Sequence, residues 1–186
     1  MLVELVKDNL VLRQFVLKDA ELLFDLVDKN RKHLERWFSW VEKTNTVEDM
    51  KNFLQNETEK FNKGEGIYLG IWYENELAGV ISFYYIHKLN KSASIGYWLS
   101  EKYQGKGIMT TACKLLIEYG FNTLKLHRID ISHAVGNERS ANVIKKLGFI
   151  HEGHFRKSEL VQGEYVDQEY YGILADEWVN SDIINS

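Results

Sequence analysis

The stretch of sequence best suited to binding an anionic ligand runs from Glu101 to Thr110 and contains Gly105 and Gly107. It lies between a predicted strand, which ends at Leu99, and a predicted helix, which begins near Gly107. Two glycines let the backbone turn sharply and approach a ligand closely. The first turn of the following helix offers unpaired backbone N–H groups and a partial positive charge. Together these features predict a cradle for a phosphate or pyrophosphate group.

This glycine pattern differs from the two common nucleotide-binding motifs. A P-loop requires Ser or Thr after its Gly-Lys pair, but here Gly107 follows Lys106. A dinucleotide-binding fingerprint requires a third glycine three residues after the second, and Thr110 occupies that position. Taken by itself, the loop is equally consistent with an ordinary turn between a strand and a helix.

A second group of residues, further along the chain, adds a family resemblance. Together, the glycine loop and these later residues resemble the GNAT superfamily of N-acetyltransferases. The motifs that carry the resemblance are Gln104-x-x-Gly107 after a strand, Asn137-x-x-Ser140 and Lys146-Leu147-Gly148-Phe149. The C-terminal part resembles the Rim-type subgroup, which acetylates N-terminal α-amines of ribosomal proteins, through Glu152-Gly153, Arg156, Gly163, Asp167, Tyr170 and Glu177-Trp178. The N-terminal half resembles the same subgroup through Arg13, Asp19-Ala20 and the segment from Leu34 to Trp40. The resemblance therefore covers nearly the whole chain.

The resemblance implies an acetyl-CoA site at the glycine loop. The loop amides would bind the pyrophosphate, and they belong to Gln104, Gly105, Lys106, Gly107, Ile108, Met109 and Thr110. The pantetheine arm would lie along Tyr97, Trp98 and Leu99 like an added strand. A backbone N–H near Leu99 would polarise the thioester carbonyl, where charge develops during attack. Asn137 and Ser140 belong to the same implied site, although capping a helix is a simpler role for Asn137.

The resemblance also implies two catalytic residues. The leaving thiolate needs a proton or a hydrogen bond, yet Ile144 occupies the position where many GNAT enzymes have a tyrosine. In the Rim-type subgroup a serine at the position of Ser140 is the proposed acid, and a hydroxyl there would act mainly by hydrogen bonding. The attacking amine needs a base, for which the subgroup points to Glu159, with Asp167 and Glu169 as competitors.

Three residues are candidates for binding the acceptor amine: Trp37, Trp40 and Glu159. The run Trp37-Phe38-Ser39-Trp40 is suited to form the acceptor-side wall of the cleft, and core packing explains these aromatic residues equally well. Lys106 has two interpretations of the same kind. Its ammonium would screen a coenzyme phosphate, or it is a solvated loop lysine.

Composition favours one globular domain over residues 1–186, with 45% hydrophobic and 27% charged residues. The net charge of −4 argues against broad nucleic-acid binding, which needs a basic surface. It is compatible with a cationic substrate. The single cysteine, Cys113, excludes an intramolecular disulfide, suits a reducing compartment and is expected in the core.

No membrane segment or metal site is expected. The N-terminus lacks a signal pattern, and no apolar run approaches the ~20 residues of a membrane span, so a cytoplasmic location is expected. The six histidines show no His-Glu-x-x-His pattern. His151 and His154 lie three apart on a predicted strand and should point to opposite faces.

The elements that must position these residues alternate between strands and helices. The seven predicted strands are Leu10 to Arg13, Ile67 to Tyr73, Leu77 to Tyr85, Ala93 to Leu99, Arg128 to Ala134, His151 to Leu160 and Tyr165 to Leu174. The segment from Val3 to Val6 is an optional partner for the first of them. The predicted helices are Asp19 to Lys29, a short one carrying His33 to Phe38, one capped by Thr46 and ending before Gly64, one from Gly107, and Glu138 to Leu147. With the resemblance, this order predicts an α/β fold with a mixed, mostly antiparallel central sheet of about seven strands. The sheet should be splayed at the acetyl-CoA cleft and flanked by about four helices.

The sequence therefore predicts an enzyme that moves an acetyl group from acetyl-CoA to a primary amine by direct attack in a ternary complex. The favoured acceptor is the N-terminal α-amine of a ribosomal protein. Two alternatives stay open: a small amine as acceptor (a polyamine, an amino acid or an aminoglycoside), and a module that binds acyl-CoA without catalysis. The Rim-type resemblance also suggests a homodimer.

Overall fold

A computed structural model describes residues 3–179 of the chain. Its strands are β1 (Glu4–Lys7), β2 (Leu10–Gln14), β3 (Ile67–Tyr73), β4 (Glu76–His87), β5 (Ser92–Leu99), β6 (Arg128–Ala134), β7 (Ile150–Val161) and β8 (Glu164–Leu174). Within the described residues these eight strands form one sheet, in the order β1-β2-β3-β4-β5-β6-β8-β7. Every neighbouring pair in it is antiparallel except β5 with β6. The mixed, mostly antiparallel fold is confirmed, with one strand more than expected.

Helices cover both faces of the sheet. Across residues 3–179 they are α1 (Ala20–Lys29), α2 (Arg31–Leu34), α3 (Val47–Lys63), α4 (Ile108–Asn122), α5 (Glu138–Lys146) and α6 (Ala175–Val179). The four longer helices match the expected four, whereas α6 was not predicted. The prediction for α2 was too long, because the helix ends at Leu34 and leaves Trp37 and Phe38 in the following segment. None of these helices is long and apolar enough to cross a membrane.

Local capping signals explain where two of the helices begin and end. Thr46 caps α3 by accepting a hydrogen bond from the Asp49 N–H at 3.1 Å, while the Asp49 carboxylate accepts one from the Thr46 N–H at 2.8 Å. Gly64 ends the same helix in the left-handed conformation, with φ of +64°. Asn137 caps α5 by accepting from the Ser140 N–H at 3.2 Å. The site-forming helices therefore start at residues that the sequence marks clearly.

The two faces of the sheet have separate hydrophobic cores. On one face α4 and α5 pack against side chains such as Ile81 and Phe83, and the fully buried Cys113 belongs to this core, as expected. On the other face α1 and α3 pack against Val80 and Trp98. Because side chains alternate along a strand, β4 and β5 contribute to both cores.

The sheet splays between β5 and β6. These parallel strands pair over four positions only, ending at Ile95 opposite Ile131. Beyond that point β5 stays paired with β4 as far as Leu99 opposite Gly79, and β6 stays paired with β8. A Cβ atom at Gly79 would lie 2.3 Å from the carbonyl oxygen of Trp98, so glycine is required for this close pairing. The splay leaves a cleft between the C-terminal ends of the two strands.

The C-terminal hairpin of β7 and β8 is irregular, and this overturns one expectation. The pairing shifts between His151 and Gly153, which is a β-bulge. As a result His151 and His154 do not point to opposite faces: both contact the Glu169 carboxylate, at 2.6 and 2.8 Å. Within residues 3–179, no group of three or more His, Cys, Asp or Glu side chains is placed to hold a metal ion.

Candidate active site

The splayed strands open into a cavity of about 1080 Å³. Pockets for single small ligands occupy roughly 300–1,000 Å³, so this cavity has room for more than one ligand group. It is lined by all the predicted site residues except Lys106, namely Trp37, Trp40, Tyr97, Trp98, Leu99, Gln104, Gly105, Gly107, Ile108, Met109, Thr110, Asn137, Ser140 and Glu159. The Lys106 ammonium lies 5.4 Å from the centroid of the Tyr103 ring, so the geometry gives no support to its predicted role at a phosphate.

The glycine loop has the shape expected of an anion cradle. Gly105 and Gly107 both have a φ of +76°, a conformation that side chains rarely adopt. A Cβ atom at either position would meet no other atom within 4 Å, so the space beside both glycines is open. Gly107 is also the residue that precedes α4, whose first turn carries no acidic side chain. The loop therefore presents helix amides and open space to the cavity, as a bound phosphate requires.

Gln104 connects the glycine loop to three other parts of the site. Its amide nitrogen donates to the Leu99 carbonyl oxygen at 3.3 Å and lies 2.8 Å from Nε2 of His33. Its amide oxygen accepts a hydrogen bond from Arg139 on α5. Since an amide nitrogen only donates, Nε2 of His33 is the acceptor, and burial lowers the pKa of this imidazole. One side chain thus ties α2, β5 and α5 together around the loop.

Ser140 and Tyr97 form a hydroxyl pair across the cleft. Their oxygen atoms lie 2.7 Å apart, and either can be the donor. Ser140 is only 9% exposed, and burial raises the pKa of Tyr97 well above its usual value, so the phenol stays neutral. The Ser140 hydroxyl therefore bonds to a second hydroxyl rather than to the backbone of its own helix. Ile144 is fully buried in the core.

Glu159 reaches the cavity because β7 bulges a second time. Its pairing with β8 shifts between Phe155 and Glu159, and Lys157 within this bulge has a φ of +51°. Glu159 accepts a hydrogen bond from Gln168, which also lines the cavity. Loss of hydration near the cavity raises the pKa of Glu159, with the Gln168 hydrogen bond opposing that shift. A carboxylate with a raised pKa is suited to accept a proton.

The two competing carboxylates are placed differently. Asp167 accepts hydrogen bonds from the Lys157 N–H and from His154, and these interactions lower its pKa. Glu169 is hydrogen bonded to His154 and His151, which lower its pKa as well. Neither carboxylate lines the cavity. The geometry therefore favours Glu159 among the three candidates.

Several aromatic side chains line the cavity. The rings of Trp40 and Trp98 lie 6.4 Å apart between centroids, and those of Phe38 and Trp40 lie 5.9 Å apart. Trp37 and Trp40 are both half-buried and line the cavity, and Trp40 also packs against the core beneath α1 and α3. Their contact with an acceptor amine stays a prediction.

Sequence reasoning missed several cavity residues, and Tyr84 is the clearest case. Its ring lies over Gly96, where an added Cβ would come within 3.1 Å of the ring. Burial raises the pKa of Tyr84, and the charges of Tyr170, Asp130 and Glu159 add smaller contributions. The alternation of β4 gives no signal for the contact with Gly96, because it depends on the absence of a side chain on the neighbouring strand. His33 and Arg139 were missed because their hydrogen bonds to Gln104 join distant parts of the chain.

Comparison with known proteins gives consistent matches over most of the chain. The family described as an acetyltransferase (GNAT) domain matches residues 9–150. The ribosomal-protein-serine acetyltransferase of Escherichia coli is 33% identical over 92% of this chain and 96% of its own length. The structure of RimL, a ribosomal L7/L12 alpha-N-protein acetyltransferase, in complex with coenzyme A is similar, with a TM-score of 0.91 at 30% identity. The match covers 94% of this chain and 99% of the RimL chain. The microcin C7 self-immunity acetyltransferase MccE, solved with acetyl-CoA and AMP, gives a TM-score of 0.86 at 34% identity, covering 90% and 93%.

The first test of the site is the substitution Gly107→Val. We expect coenzyme A to bind about tenfold to a hundredfold more weakly, because a side chain would fill the phosphate space and displace the loop amides. Isothermal titration calorimetry with coenzyme A measures this. Gly163→Val is the matched control, since Gly163 has a φ of +78° and equally open surroundings but lies in the β7–β8 turn. Unchanged coenzyme affinity in Gly107→Val would show that the loop does not hold the phosphates.

Proposed function

The chain belongs to the GNAT acetyltransferases, and on that basis we propose that it acetylates the N-terminal α-amine of a ribosomal protein, with acetyl-CoA as donor. The observation that carries the proposal is the meeting of three features in one cavity: the open glycine loop, the Ser140 hydroxyl and the Glu159 carboxylate. The choice of acceptor is supported by relatives named for ribosomal-protein acetylation, which align over nearly their whole length.

The residues present fit acetyl-CoA. The amides from Gly105 to Thr110 would hold the diphosphate at the start of α4. Beyond Ile95 the edge of β5 that faces the cleft is not paired with β6, so its main-chain groups can pair with the pantetheine arm. A main-chain N–H near Leu99 would stabilise the thioester oxygen as it gains charge.

The chemistry divides between two side chains of this protein. Acetyl-CoA supplies a thioester, whose carbon forms the new bond to nitrogen while its bond to sulfur breaks. Glu159, as a carboxylate, takes the proton that the amine loses, directly or through a water. Ser140 donates a hydrogen bond to the departing sulfur. Tyr97 can donate a hydrogen bond to the Ser140 hydroxyl oxygen, which leaves the serine proton free to point at the sulfur.

Two alternatives make different demands on the acceptor side. A small amine such as a polyamine needs an enclosed pocket, and the part of the cavity beneath α3 contains a buried carboxylate, Glu57, that favours this second candidate. A module that only binds acyl-CoA needs neither Ser140 nor Glu159. The homodimer and the cytoplasmic location stay predictions.

An acetylation screen tests the proposed function. The protein is incubated with labelled acetyl-CoA and, separately, with ribosomal proteins, N-terminal peptides and small amines. We expect label on the α-amine of a ribosomal protein, located by mass spectrometry. Label on small amines alone would overturn the ribosomal assignment. Tight coenzyme binding without any turnover would favour the binding module.

The hydroxyl pair gives a second prediction. Ser140→Ala should lower kcat by about a hundredfold with little change in coenzyme affinity, because the hydroxyl acts on the leaving sulfur. Tyr97→Phe should lower kcat by about tenfold, but should have little further effect in Ser140→Ala, since both act through one interaction. Tyr119→Phe, a half-buried tyrosine on α4 outside the cavity, is the control. Additive losses in the double variant would contradict this coupling.

The environment of Glu159 gives a pH prediction. A base must be deprotonated to act, so activity should rise with pH through the raised pKa of Glu159 and again as the acceptor amine, with a pKa of about 8, loses its proton. In Glu159→Gln the first rise should disappear and the second should remain. Initial rates from about pH 4, below the usual pKa of a glutamate, to about pH 9 measure this, with circular dichroism to check that the fold persists. A wild-type profile that falls over this range argues against both the base and the amine acceptor.

A further inference from the structure

The cavity continues beneath α3 into a region that acetyl transfer itself does not use. Six side chains from the segment after α2, from α3 and from strands β3 and β5 define this inner chamber: Phe38, Trp40, Phe53, Glu57, Tyr68 and Trp98. We propose that the inner chamber binds a second, cationic group of the acceptor, with Glu57 as its ionic partner. This inference rests on the proposed function and narrows its acceptor to one chemical class.

Glu57 is the first reason for this inference. It is 8% exposed and lines the cavity, whereas Glu48 and Glu59 of the same helix are exposed and Asp49 caps the helix N-terminus. Its partner is the ammonium of Lys60, at 2.7 Å, but the Lys60 side chain is 44% exposed. A carboxylate can accept about four hydrogen bonds, and Lys60 accounts for one of them. Buried carboxylates are costly unless they are paired, so the remaining capacity suits a cationic ligand.

The phenol of Tyr68 has capacity for a cationic ligand as well. Burial, and then the charge of Glu57, raise the pKa of Tyr68, so the neutral phenol lies within electrostatic range of the carboxylate. The buried indole N–H of Trp98 interacts with Tyr68 and can only donate. A phenol oxygen, in contrast, can accept a hydrogen bond from an ammonium or guanidinium group.

The walls of the inner chamber are aromatic, which fits a cation on an apolar spacer. Phe53 and Tyr68 pack edge to face at 4.9 Å, and Trp40 lies against Trp98 at 6.4 Å. Aromatic faces attract ammonium and guanidinium groups, most strongly where water is excluded. An apolar spacer would cross between these rings, with its cationic end at Glu57.

Two sources offer this chemistry. One is a protein N-terminus whose first residue has a cationic side chain, and the other is a small diamine or polyamine. In both, one amine would lie at Glu159 and react while the second cationic group would bind Glu57.

Matched acceptors test the inference. The peptide arm compares N-terminal lysine with norleucine, which has the same chain without the ammonium. The small-amine arm compares 1,5-diaminopentane with pentylamine. We expect the wild type to favour the cationic member of at least one pair by about tenfold to a hundredfold in kcat/KM. Glu57→Gln should abolish that preference and leave the affinity for acetyl-CoA unchanged. The pair that shows the preference identifies the source.

Two further variants keep the test decisive. Lys60→Met removes the cation that competes for Glu57, so it should strengthen the preference, the opposite of Glu57→Gln. Glu59→Gln changes an exposed carboxylate on the same helix and should have no effect. Equal rates for both members of each pair, or a preference that survives Glu57→Gln, would overturn the inference.

Failure of this inference can be distinguished from failure of the proposed function. If no acceptor is acetylated, the function fails, and calorimetry on coenzyme-loaded protein with 1,5-diaminopentane and with the N-terminal lysine peptide still tests the chamber. Binding of either that weakens in Glu57→Gln supports the inference, and absence of binding by both in the wild type overturns it.

Discussion

The active site depends on a parallel strand pairing that stops after four residues. Past Ile95 and Ile131, β5 stays paired with β4 and β6 stays paired with β8, but β5 and β6 no longer pair with each other. An unpaired strand edge inside a protein is unfavourable unless a ligand or water completes its hydrogen bonds. The Tyr97–Ser140 hydrogen bond spans this gap and holds α5 beside β5. The same opening therefore supplies the main-chain edge for a ligand and the hydroxyl beside it.

Because β5 and β6 are parallel, the helices that follow them both begin at the same end of the sheet. Ligands bind in this place in many α/β proteins, since two helix N-termini converge there. The two N-termini here are not equivalent. Gly107 leaves the start of α4 open, whereas Asn137 already accepts from the Ser140 N–H at the start of α5. One end is thus free for an anion, and the other fixes the position of a side chain.

Much of the fold could be predicted from local signals. Thr46, Gly64 and Asn137 mark helix ends because each satisfies backbone groups within a few residues of itself. The glycine loop was recognisable because the positive φ angles of its turn favour glycine, which occupies both Gly105 and Gly107. The family resemblance added the splayed sheet, which no local pattern reveals.

The rest of the site depends on contacts between distant parts of the chain. Gly153 marks the first bulge of β7, which brings His151 and His154 to one carboxylate. The second bulge, which directs Glu159 to the cavity, has no glycine to mark it. The contact of Gln104 with His33 joins residues 71 positions apart. Such contacts follow from strand register and helix packing, so a periodicity analysis cannot find them.

Two of the carboxylates that line the cavity, Glu159 and Glu57, show how environment divides the work of one residue type. Glu159 has an amide as its hydrogen-bond partner and a raised pKa, so its surroundings favour taking up a proton. Glu57 is buried, with the Lys60 ammonium at 2.7 Å and further hydrogen-bonding capacity, so a second cation can pair with it. An amine acceptor with two cationic groups presents both requirements at once, because one nitrogen must lose its proton while the other keeps it. A cavity with one carboxylate of each kind meets both.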